Sequence, residues 1–206
     1  MTFDPFGDFA SRGYLRNSRG FKRTQAIKRF EHRKFEEKLE LGQTQLRGCV
    51  SIGYQEFLQT HRILFGTVYP WAGQDRAALG LATPIFKGRL HFAGAEQIER
   101  IASQALKLAA DPTIMPRQPG MIFAELAYAH PFLEGNGRTI LAVHAELARR
   151  SAISVDWRAV PVRDYLIELT KEIVLPGSGL LDGFLAPFVR PNPDRTLVED
   201  HRPLLD

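Results

Sequence analysis

Cysteine is nearly missing. Cys49 is the single one among 206 residues, so no internal disulfide can form and a reducing compartment is expected. Nothing near Cys49 suggests a nucleophile. No apolar run is long enough to cross a membrane as a helix, and Met1-Thr2-Phe3-Asp4-Pro5 lacks the pattern of a secretory signal. Acidic residues are scarce between positions 12 and 34, where Glu31 stands alone among arginines and lysines. Such a stretch reads as a solvated helix face or a surface drawn to an acidic protein. No zinc-finger, RNP or helix-turn-helix pattern accompanies it, which argues against nucleic acid as the partner. No internal repeat is visible. The remaining composition, 44% hydrophobic and 24% charged with a net charge of +4, is that of a single domain with a real core.

The apolar spacing is mostly helical. Residues 1–20 are rich in Gly and Arg and read as irregular. Thr24 is placed to cap a helix running to about Leu41, with Gly42 as its stop. Further helices are expected over Tyr54–Phe65, Glu96–Ala109, Met121–Ala129, Asn136–Arg150, Val162–Val174 and Gly179–Val189, with a break across Pro116–Pro119. Pro187, Pro191, Pro193 and Pro203 mark the final stretch as a tail or linker. Between Thr83 and Ala93, short apolar pairs flank Lys87-Gly88-Arg89, which predicts a hairpin with a glycine turn.

The stretch His130-Pro131-Phe132-Leu133-Glu134-Gly135-Asn136-Gly137-Arg138 collects chemistry at unusual density. Ile140, Val143, His144 and Leu147 follow at helical spacing, so this loop is expected to open into a helix N-terminus, where free amides and the helix dipole attract anions. Gly135 and Gly137 let the backbone pass close to a ligand. Asn136 tolerates the same geometry, and successive amides there form an anion nest. Arg138 offers a planar fork of donors to a phosphate. Glu134 is a hard oxygen ligand suited to magnesium shared with phosphates. His130 can take a proton near neutral pH. Together these residues suggest phosphoryl or nucleotidyl transfer. His130, Glu134 and His144 do not read as a zinc set, because Pro131 and the two glycines break the helix that such spacing requires. His61, His91 and His144 read as structural, and Trp71 as core.

This stretch resembles the Fic (Fido) family motif, H-P-F-x-[D/E]-G-N-G-R, at every specified position, and Trp71–Arg76 is similar to the W-A-G-x-x-R segment that precedes it in many members. The resemblance implies a mainly α fold, a Fic-type helical bundle with a small β-hairpin flap beside the active-site loop. It implies a core domain over 51–190, with 1–50 as an N-terminal helical extension and 191–206 as a Pro-rich tail. The activity it implies is that of a protein adenylyltransferase, moving AMP from ATP onto a Ser, Thr or Tyr hydroxyl. His130 would be the base, Glu134 would hold Mg2+, and Gly135, Asn136 and Gly137 would bind the α- and β-phosphates. Arg138 would steady the pyrophosphate, Phe132 would anchor the loop, and Pro131 would stiffen the turn. Ile85, Phe86 and Lys87 would hold the target segment by strand addition. The expected partner is a protein presenting a hydroxyl side chain. The expected location is a bacterial cytoplasm, or a host cell reached without a cleavable signal.

Two departures from the family pattern bear on donor and regulation. The pattern often carries a second arginine three residues after the first, where this chain has Leu141; weaker contact with a γ-phosphate follows, and another nucleotide or a CDP-linked donor stays open. The inhibitory string [S/T]-x-x-x-E-[G/N] is absent, so a small antitoxin-like partner supplies that helix or the protein is not inhibited in this way. The kinase-type branch usually has a lysine where this chain has Gly137. A silent nucleotide- or partner-binding module is the remaining alternative, and the intact His130 and Glu134 argue against it.

Overall fold

The computed structural model describes residues 15–81, 85–88 and 90–196. Thr83, Pro84, Arg89 and the tail from 197 onward, on which parts of the hairpin and tail expectations rest, lie outside the described residues.

The architecture is mainly helical, as expected. Helix α1 spans Thr24–Gly48 and α2 spans Tyr54–Phe65. A hairpin of β1 (Phe86–Lys87) and β2 (Leu90–His91) follows, then a 3-10 turn at Ala95–Gln97 leading into α3 (Ile98–Ala109). Helices α4 (Pro119–Ala129) and α5 (Asn136–Arg150) flank the motif loop. Strand β3 (Ile153–Val155), α6 (Val162–Val174), α7 (Leu180–Leu185), a 3-10 turn at Ala186–Phe188 and β4 (Val189–Pro191) complete it. In the hairpin Phe86 pairs with His91 and Lys87 with Leu90. Strands β3 and β4 form a second antiparallel pair, matching Ile153 to Pro191 and Val155 to Val189.

Helix α4 is apolar except for Glu125, the pattern of a helix buried on most of its circumference. It accordingly packs against α3, α5, α6 and α7, burying Ile122, Phe123 and Leu126. Pro119 opens it, where a missing N–H costs nothing. The orphan amides of Gly120 and Met121 donate to the Asp182 carboxylate of α7, at 2.6 and 3.3 Å. Its end is equally defined. His130 adopts a left-handed backbone with φ of 43°, and the following Pro131 disfavours helical geometry there.

The apolar side chains form two clusters. The larger joins α2, α3, α4, α5 and α6 around Phe57, Phe123, Phe132 and Trp157. The smaller is built by α1 and the end of α2, from Ile27, Phe30, Phe35, Phe65 and Trp71. Phe132 belongs to the first and Leu133 packs on the second, so the motif loop lies at their seam.

Several boundaries differ from expectation. Helix α1 does not stop at Gly42; it continues to Gly48, with Arg23 rather than Thr24 at the N-cap. Gly42 is buried against α2, where a methyl group would sit 3.2 Å from Leu64, so the glycine serves close helix packing rather than termination. The expected Gly179–Val189 helix is instead α7, a 3-10 turn and the start of β4, and Pro191 belongs to that strand rather than to a free tail.

Candidate active site

The motif loop is held from behind by residues far away in sequence. Phe132 is fully buried and stacks on His61, with ring centres 3.7 Å apart and planes 4° from parallel. The His61 Nδ1 accepts the Gly73 N–H at 2.9 Å, so Nε2 carries the proton and donates to the Glu134 carbonyl at 3.1 Å. Burial lowers the His61 pKa to about 3, and the ring stays a neutral brace at physiological pH. Arg76, also buried, donates through Nε to the His130 carbonyl at 2.9 Å and through Nη2 to the Ala93 carbonyl at 2.6 Å. Its own amide donates to the Pro131 carbonyl at 2.9 Å. The Trp71–Arg76 segment is therefore a clamp on the loop, and Trp71 is core as expected.

Asn136 points inward. Its Oδ1 accepts the Phe132 N–H at 2.9 Å and its Nδ2 donates to the Phe132 carbonyl at 2.7 Å. That pairing fixes which end of the amide is which. The same Nδ2 lies 3.3 Å from the His130 Nε2 and meets it as a donor, which leaves Nε2 the unprotonated nitrogen that a general base needs. Phe92, beside the hairpin, packs on the other side of His130 at 4.1 Å.

Gly135 is the N-cap of α5, with φ of 78°. A Cβ there would lie 2.6 Å from the Phe65 ring, so both the backbone and the space demand glycine. Gly137 has open space where a Cβ would stand. Glu134 is half-exposed, and its Oε1 accepts the Gly135 N–H at 2.9 Å and lies 3.5 Å from the Arg138 Nη2.

Arg138 is mostly buried. Its guanidinium lies over Phe65 at 4.8 Å and Phe35 at 5.5 Å. Its Nη2 donates to Glu31 of α1, whose other oxygen accepts the Tyr69 hydroxyl. Burial and the adjacent Glu31 carboxylate push the Tyr69 pKa far up, so it remains a donor. The Arg138 Nη1 is buried with no partner among the described residues.

A cavity of about 620 Å3 opens over these groups. Glu134 to Arg138 and His130 line it, together with Ile27, Lys28 and Glu31 of α1. Its apolar lining includes Leu141, Tyr165, Leu166, Leu169 and Ile173. Leu141 is buried in the larger cluster. All five expected loop residues, Glu134, Gly135, Asn136, Gly137 and Arg138, thus meet His130 at one cavity. Ile85 and Phe86 of the flap do not. Ile85 is buried in the larger cluster and Phe86 is exposed against His91, while Leu90 and Phe92 line the cavity. His144 is buried, with Nε2 on the Pro119 carbonyl at 2.9 Å and a pKa lowered by burial to about 4, a structural position as expected.

The sequence reading missed Glu31, Tyr69, His61 and Arg76 as parts of the site. For Arg76 a signal existed in the segment it ends; for Glu31 the signal was its isolation as the one acid in a basic stretch.

Comparison with known proteins identifies relatives of the chain. Residues 51–148 match the model of the Fic/DOC family. The chain is 32% identical over 166 residues to Protein adenylyltransferase VbhT of Bartonella schoenbuchensis, covering 76% of this chain and 33% of that protein. It is 33% identical over 114 residues to Probable protein adenylyltransferase y4lH of Sinorhizobium fredii, covering 51% of this chain and 57% of that one. The chain therefore spans between a third and somewhat over half of these curated relatives. Among solved structures, the N-terminal Fic domain of a putative cell filamentation protein from Bartonella quintana, with bound ADP, superposes with a TM-score of 0.69 at 16% identity, covering 91% of this chain and 95% of that one. BepC from Bartonella tribocorum, with bound AMPPNP, gives 0.65 at 16% identity, covering 86% and 92%. At those identities the likeness is one of fold.

Proposed function

Because residues 51–148 form a Fic/DOC-family domain, we propose that the chain is a protein adenylyltransferase that moves AMP from ATP to a hydroxyl of a target protein. The observation that carries this reading is the His130 Nε2, 3.3 Å from the Asn136 Nδ2 beside the N-terminus of α5. The cavity has room for a nucleotide. Its phosphates would meet the amides at the start of α5 and Arg138, and its base the apolar lining of Tyr165, Leu169 and Ile173.

In the reaction the target O–H gives its proton to His130 as its oxygen bonds to the α-phosphorus. The bond from that phosphorus to the β-phosphate bridging oxygen breaks, and pyrophosphate leaves toward Arg138. The protein contributes position and charge stabilisation rather than a covalent intermediate. Glu134, a single half-exposed carboxylate at the phosphate end, fits the one-carboxylate manner of holding Mg2+. Glu134 would hold the ion there, and the ion would supply positive charge that offsets the phosphates. The target segment docks on the backbone of Ile85–Lys87, since the buried Ile85 side chain offers it nothing. Either a small antitoxin-like protein supplies an inhibitory helix, or the chain is not inhibited in this way.

Leu141 in the cavity wall supports a second reading, the same reaction with another nucleotide or a CDP-linked donor. Intact-mass spectrometry after incubation with magnesium and each nucleoside triphosphate separates the two. A gain of one AMP from ATP alone, lost in His130→Ala, is the expected result. A gain from a different nucleotide favours the second reading, and a His130→Ala variant that transfers at the wild-type rate sinks the role of His130. Labelled nucleotide in a lysate extends the test to targets other than the chain itself.

A further inference from the structure

The buried contact between α1 and the motif arginine is unusual in its bookkeeping. Glu31 uses one oxygen on the Arg138 Nη2 and the other on the Tyr69 hydroxyl, so the carboxylate is satisfied. The guanidinium is not, because Nη1 is buried with no partner among the described residues. A buried ion pair that leaves a donor unmet is a poor device for stability. It is a good device for holding a donor ready for an acceptor that arrives later.

The surroundings fit that purpose. The rings of Phe65 and Phe35 fix the plane of the guanidinium. Glu31 is itself buried, on a helix anchored through Ile27, Phe30 and Phe35 in the smaller cluster. Both Glu31 and Arg138 line the cavity. A carboxylate so placed sets where Arg138 presents its remaining N–H groups.

We infer that Glu31, oriented by Tyr69, is a positioning residue that aims Arg138 at the phosphates beyond the α-phosphate of the bound nucleotide. The inference rests on the nucleotide reading of the cavity. It assigns to the N-terminal helix, which lies outside the matched family segment of 51–148, a part in binding the donor.

Calorimetric titration with ATP, ADP and AMP in magnesium buffer tests it, using wild type, Glu31→Gln, Tyr69→Phe, Arg138→Ala and the Glu31→Gln/Arg138→Ala double variant. Glu31→Gln is expected to bind ATP about tenfold more weakly while AMP, which lacks the phosphates in question, changes by less than about twofold. Tyr69→Phe, which removes one hydroxyl and no charge, should show a smaller loss in the same direction. In the Arg138→Ala background Glu31→Gln should add no further loss, since the residue acts through Arg138. A Glu31→Gln protein that binds ATP as well as wild type overturns the inference. So does one that binds ATP more tightly, because the carboxylate would then be competing with phosphate. Equal weakening toward ATP and AMP, or a full additional loss in the double variant, assigns Glu31 a merely structural role and also overturns it. If the wild type binds none of the three nucleotides, the nucleotide reading itself falls.

Discussion

The two motif glycines do different work. Gly135 has φ of 78° and the Phe65 ring 2.6 Å from where a Cβ would stand. Gly137 has an ordinary φ and nothing within 4 Å of that point. Gly135→Ala should therefore cost about 1–3 kcal/mol through overpacking, with the left-handed backbone adding to it. Gly137→Ala should leave stability unchanged or raise it by up to about 1 kcal/mol, since alanine favours a helix interior. Urea unfolding of both variants reads the difference directly. Equal destabilisation would mean that Gly135 has neither the left-handed backbone nor the close approach to Phe65. The sequence showed that glycine was needed somewhere in this loop, but not which one was irreplaceable, because the answer depends on a phenyl ring from another helix.

At the scale of elements, the motif loop is a short segment suspended between α4 and α5 and fixed by the Arg76 clamp. Removing that clamp strands carbonyls in the interior. Arg76→Met keeps most of the volume but loses the bonds to His130 and Ala93. It should cost at least about 2 kcal/mol, given 1–3 kcal/mol for each buried group left unmet. Transfer should fall well beyond what the unfolded fraction explains, because His130 loses the hold on its carbonyl. Thermal melting and a rate measured well below the transition check the two effects, and a variant that keeps wild-type turnover there removes Arg76 from the support of the site. The elements that sequence periodicity delimited well were α2, α5 and α6, whose expected and observed ends coincide. Helix α2 turns one face to the core, while α5 is buried on nearly all sides. Helix α1 escaped because Gly42 reads as a stop unless its close contact with Leu64 is known. The β3–β4 pair escaped because strands of three residues carry no period, and their pairing joins segments on either side of α6 and α7.

In the whole molecule the site is a seam between two apolar clusters, and that explains what was legible. The groups proposed to meet the nucleotide sit within nine consecutive residues and were readable as a string. The groups that hold them lie 107 residues away for Glu31, 73 for His61 and 54 for Arg76, distances over which no local pattern reports. The same long-range packing makes the fold sensitive to acid. His61 and His144 are fully buried, and burial lowers their pKa values to about 3 and about 4 from an ordinary 6.5. Between those values and 6.5 the unfolded chain binds protons that the folded chain refuses, so stability rises with pH across the window and is lost as pH falls through it. Each histidine contributes a slope of about 1.4 kcal/mol per pH unit there. Urea unfolding between pH 7 and pH 5 should show stability dropping, and a His144→Gln variant, whose amide can still donate to the Pro119 carbonyl, should show a shallower drop by roughly that slope. An identical pH dependence in the variant would mean that His144 titrates alike in both states, which its burial beneath Phe123 and Trp157 forbids.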